Sequence, residues 1–459
     1  MLNTNNQSSI ISFGLNNEFD KNTNILKSRC FHFLTKLIRY NKGKLNPDED
    51  ISKVCINVVV ECVKTLEFLV KDKLIHIQNL DEPEFLDNGY TSFICYMMDF
   101  LGTFLTLDFV IPQFKDNIQT FCINILFPFL ISGAKEKALM KKDGKDFHNV
   151  VIDITTERKV FTIKTKAAKL LKIFSDKYSR LGEFLINFYL QLLDYIVLTG
   201  ISHSDALQSN NLNLVNIENY QLLQQYSPYQ PLINISHDKI LESLLLLFNI
   251  VIQHVLVPNT EKLFKTVFQK HMPNLLIIQD DMIREKLCLL LGNFIDNIYD
   301  CTTDYESFKT SVQFLFNCLF QFNSNQGLSY QAANSIKDLI YVNSYAQIFN
   351  DVLKLYFSDI SLSIKENENL IFFDVILEIV VYINNPDYTI EICKEVTNRV
   401  LREIKTPNRN KDDKTNNQNT QIIEYNEYIN KCFNVLKGIT QNEEMCNMFS
   451  VILNNLCLG

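Results

Sequence analysis

The chain has 459 residues, of which 47% are hydrophobic and 21% are charged, so it can bury a substantial core. The formal net charge of −8 comes without a dense basic stripe, and we therefore expect no direct nucleic-acid binding. The longest apolar run, residues 244–257, is too short to span a bilayer and predicts no membrane insertion. Only 12 glycines and 10 prolines occur, which favours long helices over a turn-rich β architecture.

The first half of the chain shows apolar residues at helical spacing between two irregular segments. Residues 1–21 are polar and asparagine-rich and are predicted to be a disordered N-terminus. Residues 135–159 carry lysines, an Asp-Gly step and an extended-looking core, and are predicted to be an ordered insertion between helices. The helices predicted for this half are 22–40, 51–70, 91–105, 112–132, 162–178 and 181–198.

The second half follows a polar segment, residues 200–231, which is rich in Asn and Gln and predicted to be a linker. Residues 406–420 form a second polar segment, predicted to be a loop. The two halves that carry helical repeats are therefore 22–199 and 232–459. Helices of the second half are predicted at 237–255, 260–271, 305–320, 330–341, 346–356, 367–382, 388–404, 421–436 and 441–456.

The stretch 270–300 shows the pattern of one helical hairpin of the predicted array. Pro273 ends one helix, and Asp280 or Asp281 can cap the next helix by accepting hydrogen bonds from its first backbone N–H groups. That second helix begins with Arg284 and carries an apolar stripe. Gly292 lies within it and is small enough to let a neighbouring helix approach closely.

Helix-turn-helix units recur at a spacing near forty residues, the range of HEAT and armadillo repeats. One such unit cannot bury its apolar face alone and must stack on its neighbours. The sequence therefore predicts an all-α fold of the α-α superhelix class, a HEAT- or armadillo-like solenoid of stacked helical hairpins. A solenoid of this kind leaves a groove in which another macromolecule can bind.

Residues that could carry chemistry do not form a recognisable site. The 12 cysteines occur singly, mostly inside apolar helical patterns, and the acidic residues Asp48 and Asp50 open a helix. Nucleotide-binding and hydrolase motifs are absent, and no two histidines share a helical face. A catalytic pair of a cysteine and a histidine that are distant in the sequence is an alternative that these patterns do not exclude. We therefore expect no enzyme activity, catalytic residue, metal or cofactor; the histidines are His32, His76, His148, His203, His237, His254 and His271.

Several short motifs occur in an order that resembles the importin-β superfamily. LFPFL at 126–130 precedes a charged insertion with Asp-Phe at 146–147, and TKAAKLL at 165–171 opens the next helix. The stretch 270–300 and YQAA at 330–333 resemble later landmarks of the large karyopherins, the branch that contains the bigger importins and the export receptor for importin-α. The chain is shorter than those receptors and is lysine-rich at 135–145 where they are acidic, so it resembles a divergent or partial member.

This resemblance implies a nuclear-transport receptor that binds protein cargo, with Ran GTPase and Phe-Gly nucleoporins as further partners. It also implies a location in cytoplasm and nucleus and at the nuclear envelope. Import and export are not distinguished, and no partner-binding residue can be transferred. The alternative is a cytosolic HEAT-repeat scaffold for a complex unrelated to transport. An enzyme that uses an unrecognised cysteine or acidic site is the third hypothesis.

Overall fold

The computed structural model describes most of the chain as far as residue 366 and only single positions or short runs beyond it. The described ranges are 21–42, 45, 50–77, 89–132, 134–142, 162–178, 180–206, 237–252, 265–298, 305–321, 324–340, 346–366, 375–376, 378, 389–396, 398, 430, 434, 437–438, 446–447 and 450. All secondary structure in these residues is helical, without a strand. The predicted all-α fold of stacked helical hairpins is confirmed.

The chain divides into two compact units. The first contains Met1–Leu139 and Asp146–Val267, and the second contains Met140–Lys145 and Phe268–Gly459. The division falls at residue 267 and not in the polar segment 200–231. Residues 237–252 therefore belong with the first unit, although the sequence places them with the second group of repeats.

The first unit is built from long helices and a few short turns. A π-helical turn, Cys122–Leu126, and a 3-10 turn, Phe127–Leu130, follow directly after the short helix Ile118–Phe121. The helix Ala134–Lys142 belongs to this unit as far as Leu139. The helices are α1 (Lys21–Asn41), α2 (Asp50–Ile77), α3 (Tyr90–Phe104), α4 (Ile111–Phe114), α5 (Ile118–Phe121), α6 (Ala134–Lys142), α7 (Ile163–Lys177), α8 (Leu181–Ala206) and α9 (His237–Val251).

One layer of the first unit consists of α1, α3 and α7 side by side, with α3 in the middle. Phe31 of α1 packs between the rings of Phe93 and Phe100 of α3, at centroid distances of 5.8 and 5.6 Å. Beyond the far end of this layer, the hydroxyl of Tyr178 donates a hydrogen bond of 2.5 Å to the carbonyl of Leu105. The three helices run in the same direction, as the equivalent helices of successive repeats do.

Helix α2 packs on α3 and on the two turns that follow α5, and α8 packs on α9 and, through Phe188, on Phe127 of the second turn. Tyr189 of α8 stacks on Phe248 of α9 with ring centroids 4.1 Å apart and planes within 10°. Both rings are fully buried. A buried, stacked aromatic pair of this kind contributes about 0.5–1.5 kcal/mol beyond its apolar area.

The second unit contains the capped helix that the stretch 270–300 predicts. The helical segment before it does not end at Pro273 as predicted: a π-helical turn, Lys265–His271, leads into a short helix, Met272–Leu275, and Pro273 lies in its first turn, where the missing N–H costs no helical hydrogen bond. The last long helix continues well past the predicted end at 356. The helices are α10 (Met272–Leu275), α11 (Asp281–Ile298), α12 (Tyr305–Leu319), α13 (Gln326–Ile340) and α14 (Ala346–Glu366).

Two details of that stretch are confirmed. The carboxylate of Asp280 accepts hydrogen bonds from the backbone N–H groups of Met282 and Ile283, at 2.9 and 3.2 Å, so it caps α11. A Cβ atom at Gly292 would lie only 3.0–3.2 Å from atoms of Ser335 on α13. The missing side chain therefore sets how closely α11 and α13 approach.

Other predicted segments differ or lie outside the described residues. Helix α8 runs to Ala206, past the predicted end at 198 and into the predicted linker. The first residues of the predicted insertion form the helix Ala134–Lys142, while 143–161 are not described. The predicted N-terminal segment 1–20, the remainder of the predicted linker, 207–236, and the predicted loop 406–420 also lie outside the described residues. Most residues of the predicted helices after 366 lie outside them as well. Among the described helices, none combines the length and apolar character that crossing a bilayer requires.

A hydrogen bond between the hydroxyl of Tyr305 on α12 and the carboxylate of Asp351 on α14 links two helices of the second unit. It raises the pKa of Tyr305 to about 12 and lowers the pKa of Asp351. The Asp351 contribution is therefore complete above the unfolded carboxyl pKa of about 4 and is lost as the pH falls through the folded pKa. The Tyr305 contribution is complete below about pH 10 and is lost as the pH rises through the folded pKa, about 12.

We expect Tyr305→Phe to raise the pKa of Asp351, because the hydroxyl donor is the largest cause of the lowering. Carboxyl NMR titration of the chain and the variant measures the change. Thr310→Val, which alters an exposed hydroxyl on the same helix, is the control and should leave the Asp351 pKa unchanged. Identical Asp351 titrations in the Tyr305 variant and the unaltered chain would contradict the assigned hydrogen bond.

Candidate partner-binding surface

The surface of α1 carries an apolar stripe that faces solvent. Leu26, Phe33 and Tyr40 recur every seven residues and keep 63, 64 and 86% of their surface exposed. Cys30 is exposed and Leu37 is half-buried between them. The spacing of these five residues, alternately four and three, is that of a helix face that packs on another helix.

Beside this stripe, α1 and α3 form a shallow groove of about 370 Å³, here called the apolar groove. The ring of His32 lies against Tyr96, with centroids 5.0 Å apart, and forms part of its wall. Gly89 adopts a φ of 70° just before α3, in the left-handed region that favours glycine. The groove is lined by Ile25, Ser28, Arg29, His32, Phe33, Lys36, Gly89, Ser92 and Tyr96.

A second groove of about 230 Å³ crosses α3 further along the same layer and is here called the basic groove. Arg39 and Lys42 line it from the α1 side, and Lys169 lines it from α7. Within it, the ammonium of Lys166 contacts the carboxylate of Asp99 at 2.7 Å. The groove therefore carries four cations and one anion. Acidic groups are the ligands that such a site attracts.

Helix α3 has a glycine, Gly102, at the floor of this groove. A Cβ atom at Gly102 would lie 2.6 Å from the side chain of Leu170 on α7. The absence of that atom lets α7 pack directly against α3. The same close approach brings Lys166 of α7 within reach of Asp99.

The charge of this layer is opposite to that of the whole chain. Helices α1, α3 and α7 together contain ten basic and two acidic residues, whereas the chain has a formal net charge of −8. Helix α2, which lies outside this layer, has four basic and four acidic residues, although it also exposes Ile51, Val54 and Val60. A positive potential combined with exposed apolar side chains is therefore a property of the α1–α3–α7 layer.

Beneath this layer, Lys164 of α7 is buried and contacts two buried carboxylates. Its ammonium lies 3.0 Å from Glu136 of α6 and 3.3 Å from Glu242 of α9. It also contacts the hydroxyl of Ser132, which in turn contacts Glu242. All four side chains are nearly inaccessible to solvent, so this cluster holds three helices together rather than receiving a ligand.

Some of the chemistry-bearing residues from the sequence come together at the start of α11, where Arg284 lies 3.8 Å from the carboxylate of Asp281 and 3.5 Å from the sulfur of Cys318. Asp281 accepts a hydrogen bond of 2.9 Å from the side chain of Asn325, and Arg284 donates one of 2.9 Å to Gln321. His271 is buried at the end of the π-helical turn. The side chains of the remaining histidines other than His32 are not described.

Three buried cysteines have thiols whose neutral form is favoured by their surroundings. Burial raises the pKa of Cys62, of Cys122 and of Cys288. A raised thiol pKa lowers the fraction of reactive thiolate. Within the described residues, no group of three or more His, Cys, Asp or Glu side chains could hold a metal ion.

The α1–α3–α7 surface was not identified from the sequence, although part of its signal is present there. Lysines and arginines recur at helical spacing at 36 and 39 on α1 and at 166 and 169 on α7. Their common position becomes evident only when the two helices are placed on either side of α3. The formal net charge of the whole chain is negative, so it gives no sign of this local excess of basic residues.

Comparison of the chain with known proteins finds no matching family model, no similar curated protein and no similar solved structure.

Proposed function

We propose that this chain is a helical-repeat receptor that binds another protein through its α1–α3–α7 layer. The observation that carries the proposal is the exposed apolar stripe of α1, flanked by two grooves and by a strong excess of basic residues. Exposed apolar side chains beside concave sites are typical of surfaces that bind proteins. The basic residues select an acidic partner and accelerate its association.

An individual binding event on this surface combines two contributions. Covering large side chains such as Phe33 and Tyr40 removes apolar area from water, which stabilises the complex by about 25 cal/mol per Å² before the costs of association. The cations on the surface contribute mainly to specificity and association rate, because they are exposed and screened by salt. Binding should therefore weaken with increasing salt without being abolished.

We further propose that the bound protein is a cargo and that the receptor takes part in nucleocytoplasmic transport. The support for this step is the importin-β-like order of the motifs at 126–130 and 165–171. The first overlaps the 3-10 turn Phe127–Leu130 and the second lies in α7, and these two elements pack against each other in the first unit. The motifs therefore belong to one structural neighbourhood as well as to one sequence order.

A pull-down with GTP-loaded Ran and with Phe-Gly repeat peptides tests the transport proposal. GDP-loaded Ran and peptides with Ser in place of Phe are the matched controls. We expect retention of at least one of the two active probes and of neither control. Binding to neither active probe would contradict transport; together with binding of an acidic protein, it would leave a scaffold unrelated to transport.

A further inference from the structure

We propose that the receptor recognises a short bipartite segment of its partner, with one large apolar side chain and, about four or five residues away, a pair of acidic side chains. The apolar side chain occupies the apolar groove and the acidic pair occupies the basic groove. This inference deepens the proposed protein-binding function and rests on it. It specifies the chemistry and the spacing of the bound segment.

The spacing follows from the separation of the two grooves. On α1 the apolar groove centres near residue 30 and the basic groove near residue 40. On α3 the corresponding residues centre near 92 and 102, so both helices give the same offset. About ten residues of helix correspond to roughly 15 Å at 1.5 Å per residue. An extended segment covers this distance in about four or five residues at 3.3 Å each.

The apolar groove suits one large side chain. Its volume, about 370 Å³, lies at the lower end of the range for ligand pockets. Phe33 and Tyr96 supply aromatic surface, and Ile25 supplies an aliphatic wall. A Phe or Leu side chain of the partner would cover these groups and lose little conformational freedom.

The basic groove suits more than one negative charge. Asp99 neutralises Lys166 at 2.7 Å, and Arg39, Lys42 and Lys169 are all exposed. Arg39 and Lys42 lie at the end of α1 and Lys169 lies on α7, on the other side of α3, so one anionic group cannot contact them all closely. Two adjacent carboxylates supply one anionic group for each side of the groove.

Fluorescence anisotropy of labelled synthetic peptides tests this inference. The probe contains one Phe and, five residues on, two glutamates in an otherwise Gly/Ser background. Comparison peptides place the glutamates next to the Phe, replace them with Gln, or replace the Phe with Ser. All three should bind roughly tenfold more weakly than the probe.

Matched variants of the full chain locate the site. Lys169→Glu should weaken probe binding roughly tenfold and make it insensitive to the Glu-to-Gln change in the peptide. Phe33→Ser should weaken binding and make it insensitive to the Phe-to-Ser change. Lys64→Glu makes the same charge change on α2 and is the control, with no more than about a twofold effect.

The bipartite inference would be overturned if the chain bound the probe and the peptide with adjacent glutamates equally well. It would also be overturned if Lys169→Glu and Lys64→Glu weakened binding equally, or if no peptide bound. Equal competition by a single-stranded RNA, irrespective of the peptide's Phe, would also overturn it and would assign the surface to nucleic acid. The proposed function fails separately, when no protein can be cross-linked at the α1–α3–α7 surface. A cross-linked partner that lacks the bipartite segment would refute the inference alone.

Discussion

Replacing Lys164 with methionine is expected to destabilise the first unit by about 3–5 kcal/mol, because two buried carboxylates would lose their common cation. Glu136 and Glu242 lie 3.0 and 3.3 Å from the ammonium and belong to different helices. Methionine retains most of the length and apolar character of the lysine side chain. The loss is therefore electrostatic in origin and not caused by an empty cavity.

Hydrogen exchange measured by mass spectrometry is the suitable readout, because a chain with two compact units need not unfold in one step. Backbone amides of α7 and α9 should exchange faster by roughly two to three orders of magnitude in the variant. Lys169→Met alters an exposed lysine of the same helix and should change these rates by less than about threefold.

A triple variant, Glu136→Gln, Lys164→Met and Glu242→Gln, separates charge from packing. Removing both carboxylate charges should recover most of the stability lost in the single variant, because replacing a whole buried ion cluster is often neutral. An unchanged exchange rate in Lys164→Met, or no recovery in the triple variant, would contradict the assigned role of the cluster.

Replacing Gly292 with valine is expected to destabilise the α11–α13 pair by about 2–3 kcal/mol. A side chain there meets Ser335 at 3.0–3.2 Å, and part of that contact is the backbone Cα, which cannot rotate away. The helix propensity of valine exceeds that of glycine by only about 0.3 kcal/mol, so propensity offsets little of this cost. Gly292→Ala should cost less, because its better helix propensity returns about 1 kcal/mol.

A variant of Ser335 tests whether crowding at Gly292 causes this destabilisation. In a Ser335→Gly background two of the three crowding atoms are absent, so Gly292→Ala should become neutral or stabilising. The double-mutant cycle, followed by hydrogen exchange of α11 and α13, should give a coupling of about 1 kcal/mol or more. The lost hydrogen bond from Ser335 to the Cys288 carbonyl cancels in the cycle. Additive effects would show that close approach at Gly292 is not limiting.

The sequence predicts the local features of the fold well. The cap at Asp280 and the close approach at Gly292 both depend on one residue type at one helical position, and both are confirmed. The helices themselves follow from the apolar period. Their ends are less certain, since α8 continues to Ala206 although a polar composition begins near residue 200. Tertiary packing can extend a helix beyond the point that its composition favours.

The candidate surface depends on placement in three dimensions. In the first helix, the apolar pattern includes Cys30, Phe33 and Leu37 beside the residues that are buried, and the sequence does not separate the two faces. Burial depends on which face meets α3, where Phe31 is enclosed and Phe33 is not. In the sequence, Lys164 is one of several lysines at 164–172. Only its contacts with Glu136 and Glu242 in the structure distinguish it from the other lysines.

Photo-cross-linking tests the central claim, that the α1–α3–α7 layer binds an acidic protein, most directly. A benzophenone-bearing amino acid in place of Phe33 reports on this layer, and the same group in place of Val54, which is 57% exposed on α2, reports on a surface outside it. Each of the two variants of the chain is expressed in cells of the organism from which the protein comes and is irradiated there, and the cross-linked proteins are identified. We predict an acidic partner linked at position 33, reduced by Lys169→Glu, and none at position 54. Equal cross-linking at both positions, or none at position 33, would contradict the account.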